Sequence, residues 1–167
     1  MTTPTPPSSP RVRDERGSFV VAIDGPAASG KSSTAQWVAQ RLGFRHVDSG
    51  ALYRAATAVA LERAGESFDE MVVLAGAEEI SLRAAEHSFV PVWRDAEMEE
   101  MIRAAEVTRH VSRVAQMQGV RRWVNAHVRL AAEGQHVVVD GRDIGTVVFP
   151  RADLKVFLIA DPWERAR

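Results

Sequence analysis

The sequence predicts an α/β fold in which helices flank a parallel β-sheet. Three observations indicate this class. Short apolar runs alternate with segments of helical periodicity, glycines follow several of these helical segments, and the runs near residues 138 and 157 are almost continuously apolar, as strands buried on both faces are. At 167 residues, the chain is long enough for one domain with a sizeable core.

The first half of the chain is predicted to contain two strand–helix units. A short apolar run leads into a glycine-rich turn and then into a segment whose apolar residues recur every three or four positions. A second run and a second helical segment repeat the pattern, and a glycine ends each helix. The predicted elements are a strand at 19–24, a helix at 31–42 ended by Gly43, a strand at 45–48, and a helix at 52–64 ended by Gly65.

The middle of the chain interrupts this alternation with two short runs that suit antiparallel pairing, so we expect a small insertion at about 66–106. Beyond it, a long helical segment precedes two more strands, and Gly119 is expected to divide or kink that helix. The predicted elements are, in order, a helix at 71–79, strands at 80–83 and 88–93, a helix at 107–133, and strands at 136–140 and 154–160.

The two ends of the chain differ from the rest. Residues 1–18 hold four of the eight prolines and no apolar stretch, which predicts a disordered tail rather than a signal peptide and leaves 19–167 as the folded core. At the other end, Asp161 and Pro162 are typical of a helix start, yet only six residues follow the cap. The sequence therefore reads as if it stops just after a helix begins.

Composition excludes several classes of protein. The 21 basic and 22 acidic residues give a net charge of −1 without runs of like charge, so nucleic-acid binding is not expected. A membrane span is not expected either, because it would need about 18 consecutive apolar residues and the apolar runs are far shorter. The chain has no cysteine, which fits a cytoplasmic protein, and its five histidines lack metal-ligand spacing, so we assign them no chemistry. Only two of the 21 basic residues are lysines, which makes the position of each informative.

One glycine-rich turn matches the phosphate-binding pattern G-x-x-x-x-G-K-[ST] between a predicted buried strand and a helix. Its glycines let backbone N–H groups point at phosphate oxygens, and the helix adds its positive N-terminus. Lys31 supplies an ammonium for the β- and γ-phosphates of a nucleoside triphosphate, and Ser32 offers a hydroxyl to Mg²⁺. The loop alone does not distinguish a kinase from a GTPase or an ATP-driven machine. The predicted phosphate-binding residues are Gly25, Pro26, Ala27, Ala28, Ser29, Gly30, Lys31, Ser32 and Ser33.

Three aspartates end predicted strands of the sheet: Asp24, Asp48 and Asp140. Because ligands of open parallel sheets bind beyond the carboxyl ends of the strands, we expect these side chains and the loops after them to converge on the phosphate site. Arg54 and Arg142 follow two of these strand ends and would clamp a second anion opposite the γ-phosphate.

Several segments resemble the cytidylate kinase family of bacteria, which moves a phosphoryl group from ATP to CMP or dCMP. They are GPAASGKSS, DSGALYR, the stretch VSRVA that leads to Arg121, DGRDIGTVVFP and LKVFLIADPWERAR, so the resemblance runs from about residue 19 to residue 167. It implies a P-loop kinase-type parallel sheet flanked by helices, with a small insertion that binds the nucleoside monophosphate. It also implies that the last core strand and an arginine-rich lid are missing from this sequence.

The resemblance assigns roles to individual residues. Lys31 and Arg142 would be catalytic. The loop pattern itself offers Ser32 to Mg²⁺, and Asp140 is our candidate for holding the ion through water, while Asp48 assists, orients its loop or caps a helix. The CMP-binding group would be Ser49, Arg54, Ser112, Arg121, Arg142 and Asp143. Cytosine supports this assignment, because a carboxylate can accept from its N4 amino group, whereas uracil would present an oxygen to that carboxylate.

Other interpretations of the sequence stay open. Arg121 adjoins Arg122, so helix phase decides which one turns inward, and Ser112 is equally compatible with an ordinary helix position. A different small-molecule kinase would share Lys31 and Ser32 without the cytosine-reading residues, and a non-catalytic remnant would bind ATP without phosphoryl transfer. The expected partners are ATP and CMP or dCMP, with the chain acting as a monomer.

Overall fold

The computed structural model describes residues 17–159, which form one parallel and one antiparallel sheet with helices around them. The predicted tail up to residue 16 and the predicted helix start at Asp161 lie outside the described residues. Among the described residues, no helix has the length and apolar character needed to cross a membrane.

The helices and strands follow the predicted order closely. The strands are β1 (Val20–Asp24), β2 (Arg45–Asp48), β3 (Ile80–Ala84), β4 (Phe89–Trp93), β5 (Ala96–Glu97), β6 (Val137–Gly141) and β7 (Leu154–Phe157). The helices are α1 (Lys31–Leu42), α2 (Ser49–Ala64), α3 (Glu70–Ala77), α4 (Glu99–Ile102), α5 (Ala105–Val114) and α6 (Gln118–Ala132), with a π-helical turn at Ile144–Val148.

The main sheet has the order β2-β6-β1-β7, and all its strands are parallel. Alternate residues of its two central strands point to opposite faces. Val21, Ile23 and Val138 pack with α1 on one face, whereas Ala22 and Val139 belong to the larger core that α2 and α6 cover on the other. This two-sided burial explains the nearly continuous apolar strands and confirms the predicted α/β class with a parallel sheet flanked by helices.

The structure corrects three predicted boundaries. The second helix begins at Ser49, three residues earlier than predicted, because the Asp48 carboxylate accepts a hydrogen bond from the Ala51 N–H at 3.0 Å and caps it. The strand predicted at 154–160 ends at Phe157. The helix predicted at 107–133 is divided, but the break lies at 115–117, before the glycine that was expected to cause it.

Gly119 instead lies in the first turn of α6 and permits close packing against α3. Its N–H donates to the Glu70 carboxylate. A Cβ at this position would lie 2.7 Å from Glu70 Oε1 and 2.8 Å from Leu74 Cδ1. The small size of Gly119 therefore suits the contact between two helices, and a Cβ here would displace the side-chain ends of Glu70 and Leu74.

The middle of the chain forms the predicted antiparallel strands, in a sheet of order β3-β4-β5. This small sheet is tied to the edge of the main sheet at β2. The backbone N–H of His46 donates to the His87 carbonyl at 2.9 Å, and Arg45 Nε donates to the Ala85 carbonyl at 3.0 Å. These bonds hold the small sheet next to the edge strand of the parallel sheet.

Candidate functional site

The loop between β1 and α1 has the backbone of an anion-binding cradle. Ala28 and Gly30 both have positive φ, at 57° and 79°, and Gly30 is the residue before the first turn of α1. A Cβ on Gly25 would lie 2.6 Å from the Leu158 carbonyl oxygen, so no side chain fits there. Ser29 Oγ is buried and has no hydrogen-bond partner among the described residues, which leaves a donor available to a ligand.

Lys31, at the start of α1, folds back over this loop. Its Nζ donates to the Pro26 carbonyl at 3.3 Å, so the ammonium lies beside the amide groups of the cradle. The combination of a helix N-terminus, a curled backbone and one ammonium is suited to polyphosphate oxygens.

Ser32 and Asp140 meet beside the loop and form an oxygen pair. Ser32 Oγ donates to Asp140 Oδ2 at 2.6 Å, and Asp140 is only 1% exposed. A hydroxyl that gives its hydrogen to a carboxylate keeps its lone pairs for a cation. Among the described residues, no three His, Cys, Asp or Glu side chains are grouped as a protein-only metal site requires. The donor set therefore suits Mg²⁺ that takes most of its ligands from phosphate and water.

The second carboxylate oxygen of Asp140 is also occupied. His46 Nε2 lies 2.6 Å from Asp140 Oδ1, and His46 is itself buried, with 8% exposure. Sequence reasoning missed His46, because metal-ligand spacing was the only signal sought. A usable signal was present: His46 is a polar residue inside a predicted strand, two residues before the aspartate that ends it.

Asp24 and Arg129 hold the turn that follows β6. The buried Asp24 carboxylate accepts from the N–H groups of Ile144 and Gly145 at 2.7 and 2.8 Å. At the other end of the turn, the Arg129 guanidinium donates to the carbonyls of Val147 and Val148, both at 3.1 Å. Asp24 therefore holds the start of this turn and Arg129 holds its end. Sequence reasoning gave no signal for Arg129.

Asp48 and Ser49 lie where β2 meets α2, next to Asp140. Burial, followed by the negative charge of Asp140, raises the pKa of Asp48 above its usual range, and His46 partly opposes this. Ser49 Oγ donates to the Asp140 backbone carbonyl at 2.8 Å. The predicted convergence of the strand ends is thus found for Asp48 and Asp140, which are direct neighbours in the pairing of β2 with β6.

The predicted acceptor-side residues come from four separate elements. Arg121 of α6 and Asp143 of the loop after β6 form an ion pair with 2.6 Å between Nη2 and Oδ2. Arg121 rather than Arg122 is the arginine that turns to Asp143. Arg54 Nη1 instead donates to the Ile102 carbonyl at 3.3 Å and to Thr108 Oγ1 at 3.0 Å.

Two of the predicted residues have no such contacts. The side chains of Arg142 and Ser112 are exposed, and within residues 17–159 neither forms a hydrogen bond or an ion pair through its side chain. The structure therefore joins Arg121 to Asp143 but leaves Ser112 unconnected to them. Arg142 follows the strand next to β1 and has no side-chain partner within residues 17–159, so its guanidinium is available to an anionic ligand there.

Comparison with known proteins points to one family. The sequence model described as cytidylate kinase matches residues 21–167. A cytidylate kinase of Solibacter usitatus is 45% identical over 150 residues, which cover 89% of this chain and 63% of the relative. One of Lactococcus lactis is 40% identical over 146 residues, which cover 87% of this chain and 66% of the relative.

A longer protein also contains a matching region. A bifunctional pantoate ligase/cytidylate kinase of Thermosynechococcus vestitus is 41% identical over 152 residues, which cover 89% of this chain and 30% of that protein. The chain thus spans slightly less than two thirds of the Solibacter and Lactococcus relatives, at 63% and 66% of their lengths.

Proposed function

Because the chain belongs to the cytidylate kinase family, we propose that it transfers the γ-phosphoryl group of ATP to CMP or dCMP. The observation that carries the proposal is that a loop suited to a triphosphate and a segment suited to a nucleoside monophosphate follow adjacent strands of the sheet. The glycine loop with Lys31 follows β1, and the exposed Arg142 and the paired Asp143 follow the neighbouring strand β6. A donor and an acceptor nucleotide would therefore meet between adjacent strand ends.

The donor side would hold the triphosphate of ATP. The backbone N–H groups of residues 25–33, apart from Pro26, and the hydroxyl of Ser29 would supply hydrogen-bond donors, and Lys31 would leave the Pro26 carbonyl for the β- and γ-phosphates. Ser32 would bind Mg²⁺ directly and Asp140 through water, since both oxygens already face each other. When bound, Mg²⁺ supplies positive charge next to the transferred group.

The acceptor side would hold the pyrimidine monophosphate. Arg54 and Arg142 would bind its phosphate, because a forked guanidinium matches phosphate oxygens. Asp143 would accept from the N4 amino group of cytosine, while Arg121, with help from Ser112, would donate to its ring acceptors. Ser49 is proposed as a further contact near the acceptor, at the junction of β2 and α2. We also propose that the segment at about 66–106 serves as the acceptor-binding insertion.

Phosphoryl transfer at this site needs no protein nucleophile. A phosphate oxygen of CMP forms the new bond to the γ-phosphorus of ATP, and the bond from that phosphorus to the bridging oxygen of ADP breaks. Lys31 and Arg142 would act as catalytic residues by offsetting the negative charge spread over the transferred group. Their contribution is positioning and charge neutralisation, which lower the repulsion between two anionic substrates.

An ADP-release assay with a panel of acceptors tests the proposal. The acceptors are CMP, dCMP, UMP, AMP and shikimate, and the Solibacter relative serves as positive control. The same panel is applied to this chain and to a chimera that adds the part of the Solibacter protein beyond its matched residues. We expect CMP and dCMP to give the fastest release. Preference of the chimera for another acceptor contradicts the substrate, and ATP binding without any transfer contradicts the activity.

A further inference from the structure

We propose that His46 is a positioning residue that sets the orientation of the Asp140 carboxylate toward Ser32 and thereby prepares this oxygen pair for the Mg²⁺ that accompanies ATP. The inference rests on the proposed function, and it assigns a role to a histidine outside the residues proposed to bind either nucleotide. Three features of the described residues support it.

The first feature is that each carboxylate oxygen of Asp140 has its own side-chain partner. Oδ1 lies 2.6 Å from His46 Nε2, and Oδ2 lies 2.6 Å from Ser32 Oγ. An ionised carboxylate only accepts, so at this distance Nε2 carries the hydrogen and donates it. His46 therefore occupies the oxygen that does not face the phosphate loop and leaves the other to Ser32.

The second feature is the burial of the contact. Asp140 is 1% exposed and His46 is 8% exposed, so water has little access to replace the imidazole as a donor. Without this donor, Oδ1 would be a buried and unsatisfied charged oxygen. The carboxylate would then turn to share the Ser32 hydroxyl or another nearby donor, and the fixed direction of Oδ2 would be lost.

The third feature is that His46 and Asp140 are themselves fixed. The backbone N–H of His46 donates to the His87 carbonyl at 2.9 Å, which ties β2 to the hairpin of the small sheet. The backbone carbonyl of Asp140 accepts from Ser49 Oγ at 2.8 Å. With both backbones held, the imidazole is a rigid support for the carboxylate, as outer partners of metal-binding groups commonly are.

Calorimetric binding of the non-hydrolysable ATP analogue AMP-PNP tests the role. The titrations are done in EDTA and at a series of Mg²⁺ concentrations on the whole chain. The variant His46→Phe keeps an aromatic ring and removes the donor, whereas His46→Gln returns an N–H near the position of Nε2. His127→Phe makes the same replacement on α6, where His127 contacts the Trp123 carbonyl through Nδ1 and the Trp123 ring, both in its own helix.

We expect His46→Phe to raise the Mg²⁺ concentration for half-maximal effect about 10-fold, the loss typical of removing an outer partner of a metal ligand. Its affinity for AMP-PNP in EDTA should stay within about twofold of the parent protein. His46→Gln should recover most of the Mg²⁺ response, and His127→Phe should match the parent. A purely structural role would instead weaken binding equally with and without Mg²⁺.

An unchanged Mg²⁺ response in folded His46→Phe contradicts the inference, as does a loss that His46→Gln shares in full. Circular dichroism reports whether each variant is folded, and His46→Leu, which is smaller, replaces the phenylalanine variant if that one is not. The proposed function is contradicted if the parent chain binds no AMP-PNP under any condition. The inference about His46 alone is contradicted if the parent chain binds AMP-PNP with a normal Mg²⁺ response that the His46 variants share.

Discussion

The two halves of the candidate site differ in where their unpartnered polar groups lie. On the donor side, Lys31, Ser32 and Asp140 have hydrogen-bond partners within the chain, and the hydroxyl without one among the described residues, Ser29 Oγ, is buried. On the acceptor side, Arg54 and Arg121 have partners, whereas Arg142 and Ser112 are exposed and form no side-chain contact of this kind with the described residues.

This difference indicates which process orders the side chains of each half, folding of the core or binding of the ligand. The donor half consists of one continuous loop and two central strand ends, so folding of the core already orders it. The acceptor half draws on four elements and is more exposed, so ligand binding would have to order Arg142, which has no side-chain partner in the described part of the chain. We therefore expect substitutions on the donor side to affect binding strongly, and those on the acceptor side to change selectivity.

The largest expected effect is that of Lys31→Met. The methionine keeps the length of the side chain but removes the ammonium beside the phosphate cradle. We expect kcat/KM in the ADP-release assay to fall by about 100- to 1,000-fold, as when one preorganised donor is removed from an active site. CMP affinity, measured by calorimetry, should change by less than about twofold.

The second lysine provides a matched control. Lys155 Nζ donates to the Pro150 carbonyl at 2.6 Å, a contact five residues back along the chain, as Lys31 does with Pro26. Lys155→Met should therefore keep most of the activity. A similar loss in both variants would mean that the effect of Lys31→Met reflects net charge rather than contact with phosphate.

The donor half was also the more predictable one. Residues 25–32 are consecutive, so local spacing alone predicts a loop whose backbone N–H groups, rather than distant side chains, would bind phosphate. The parallel sheet was predictable for a related reason. Strands buried on both faces are almost continuously apolar, and β1 and β6 show this pattern in the sequence. His46 was not predicted as a site residue, because a search for local metal-ligand spacing does not detect a partner such as Asp140, which is 94 residues away in the sequence.

The acceptor half could be predicted only through resemblance. Nothing local distinguishes Arg121 from Arg122, and the choice between them depends on the phase of α6 relative to the loop that carries Asp143. The break between α5 and α6 was misplaced for a similar reason. Gly119 was expected to cause it, but this glycine packs against Glu70 and Leu74 of α3, a contact between segments that are distant in the sequence. Contacts between distant segments decide both the choice of Arg121 and the role of Gly119, and the preferences of single residues do not predict such contacts.

A smaller effect, on selectivity, is expected for Asp143→Ala. Loss of the acceptor for cytosine N4 should lower the ratio of kcat/KM for CMP to that for UMP by about 10- to 100-fold. The affinity for AMP-PNP should be nearly unchanged, because Asp143 contacts Arg121 and not the phosphate loop. The measurement is the ADP-release assay with both acceptors, supported by calorimetry for the analogue.

Asp143→Asn sharpens this test. The amide keeps the size of the side chain, and its N–H can face O4 of uracil, so this variant should gain activity with UMP beyond that of Asp143→Ala. If all three proteins show the same CMP to UMP ratio, Asp143 does not read the base, and its contact with Arg121 is only structural.

The smallest expected effect concerns stability on the donor side, where two carboxylates are close. Asp48 and Asp140 are neighbours across β2 and β6, and burial together with this repulsion raises the pKa of Asp48. A raised pKa means that the folded state binds the proton more tightly than the unfolded chain does. The associated stability is present below the usual value of 3.8 and is lost as the pH rises through the higher value of the folded state.

Asp48→Asn should therefore stabilise the ligand-free protein at neutral pH, because it removes a buried charge and keeps an oxygen that can cap α2. We expect the melting temperature in EDTA to rise by about 2–4 °C. The difference should shrink as the pH falls toward 3.8, because the raised pKa of Asp48 lets this carboxyl bind its proton in the folded protein. Asp69→Asn is the matched control, since Asp69 caps α3 through the Val72 N–H at 3.0 Å but is exposed. An equal rise in both variants would assign the effect to capping, and no rise in Asp48→Asn would mean that the two carboxylates do not destabilise the donor side.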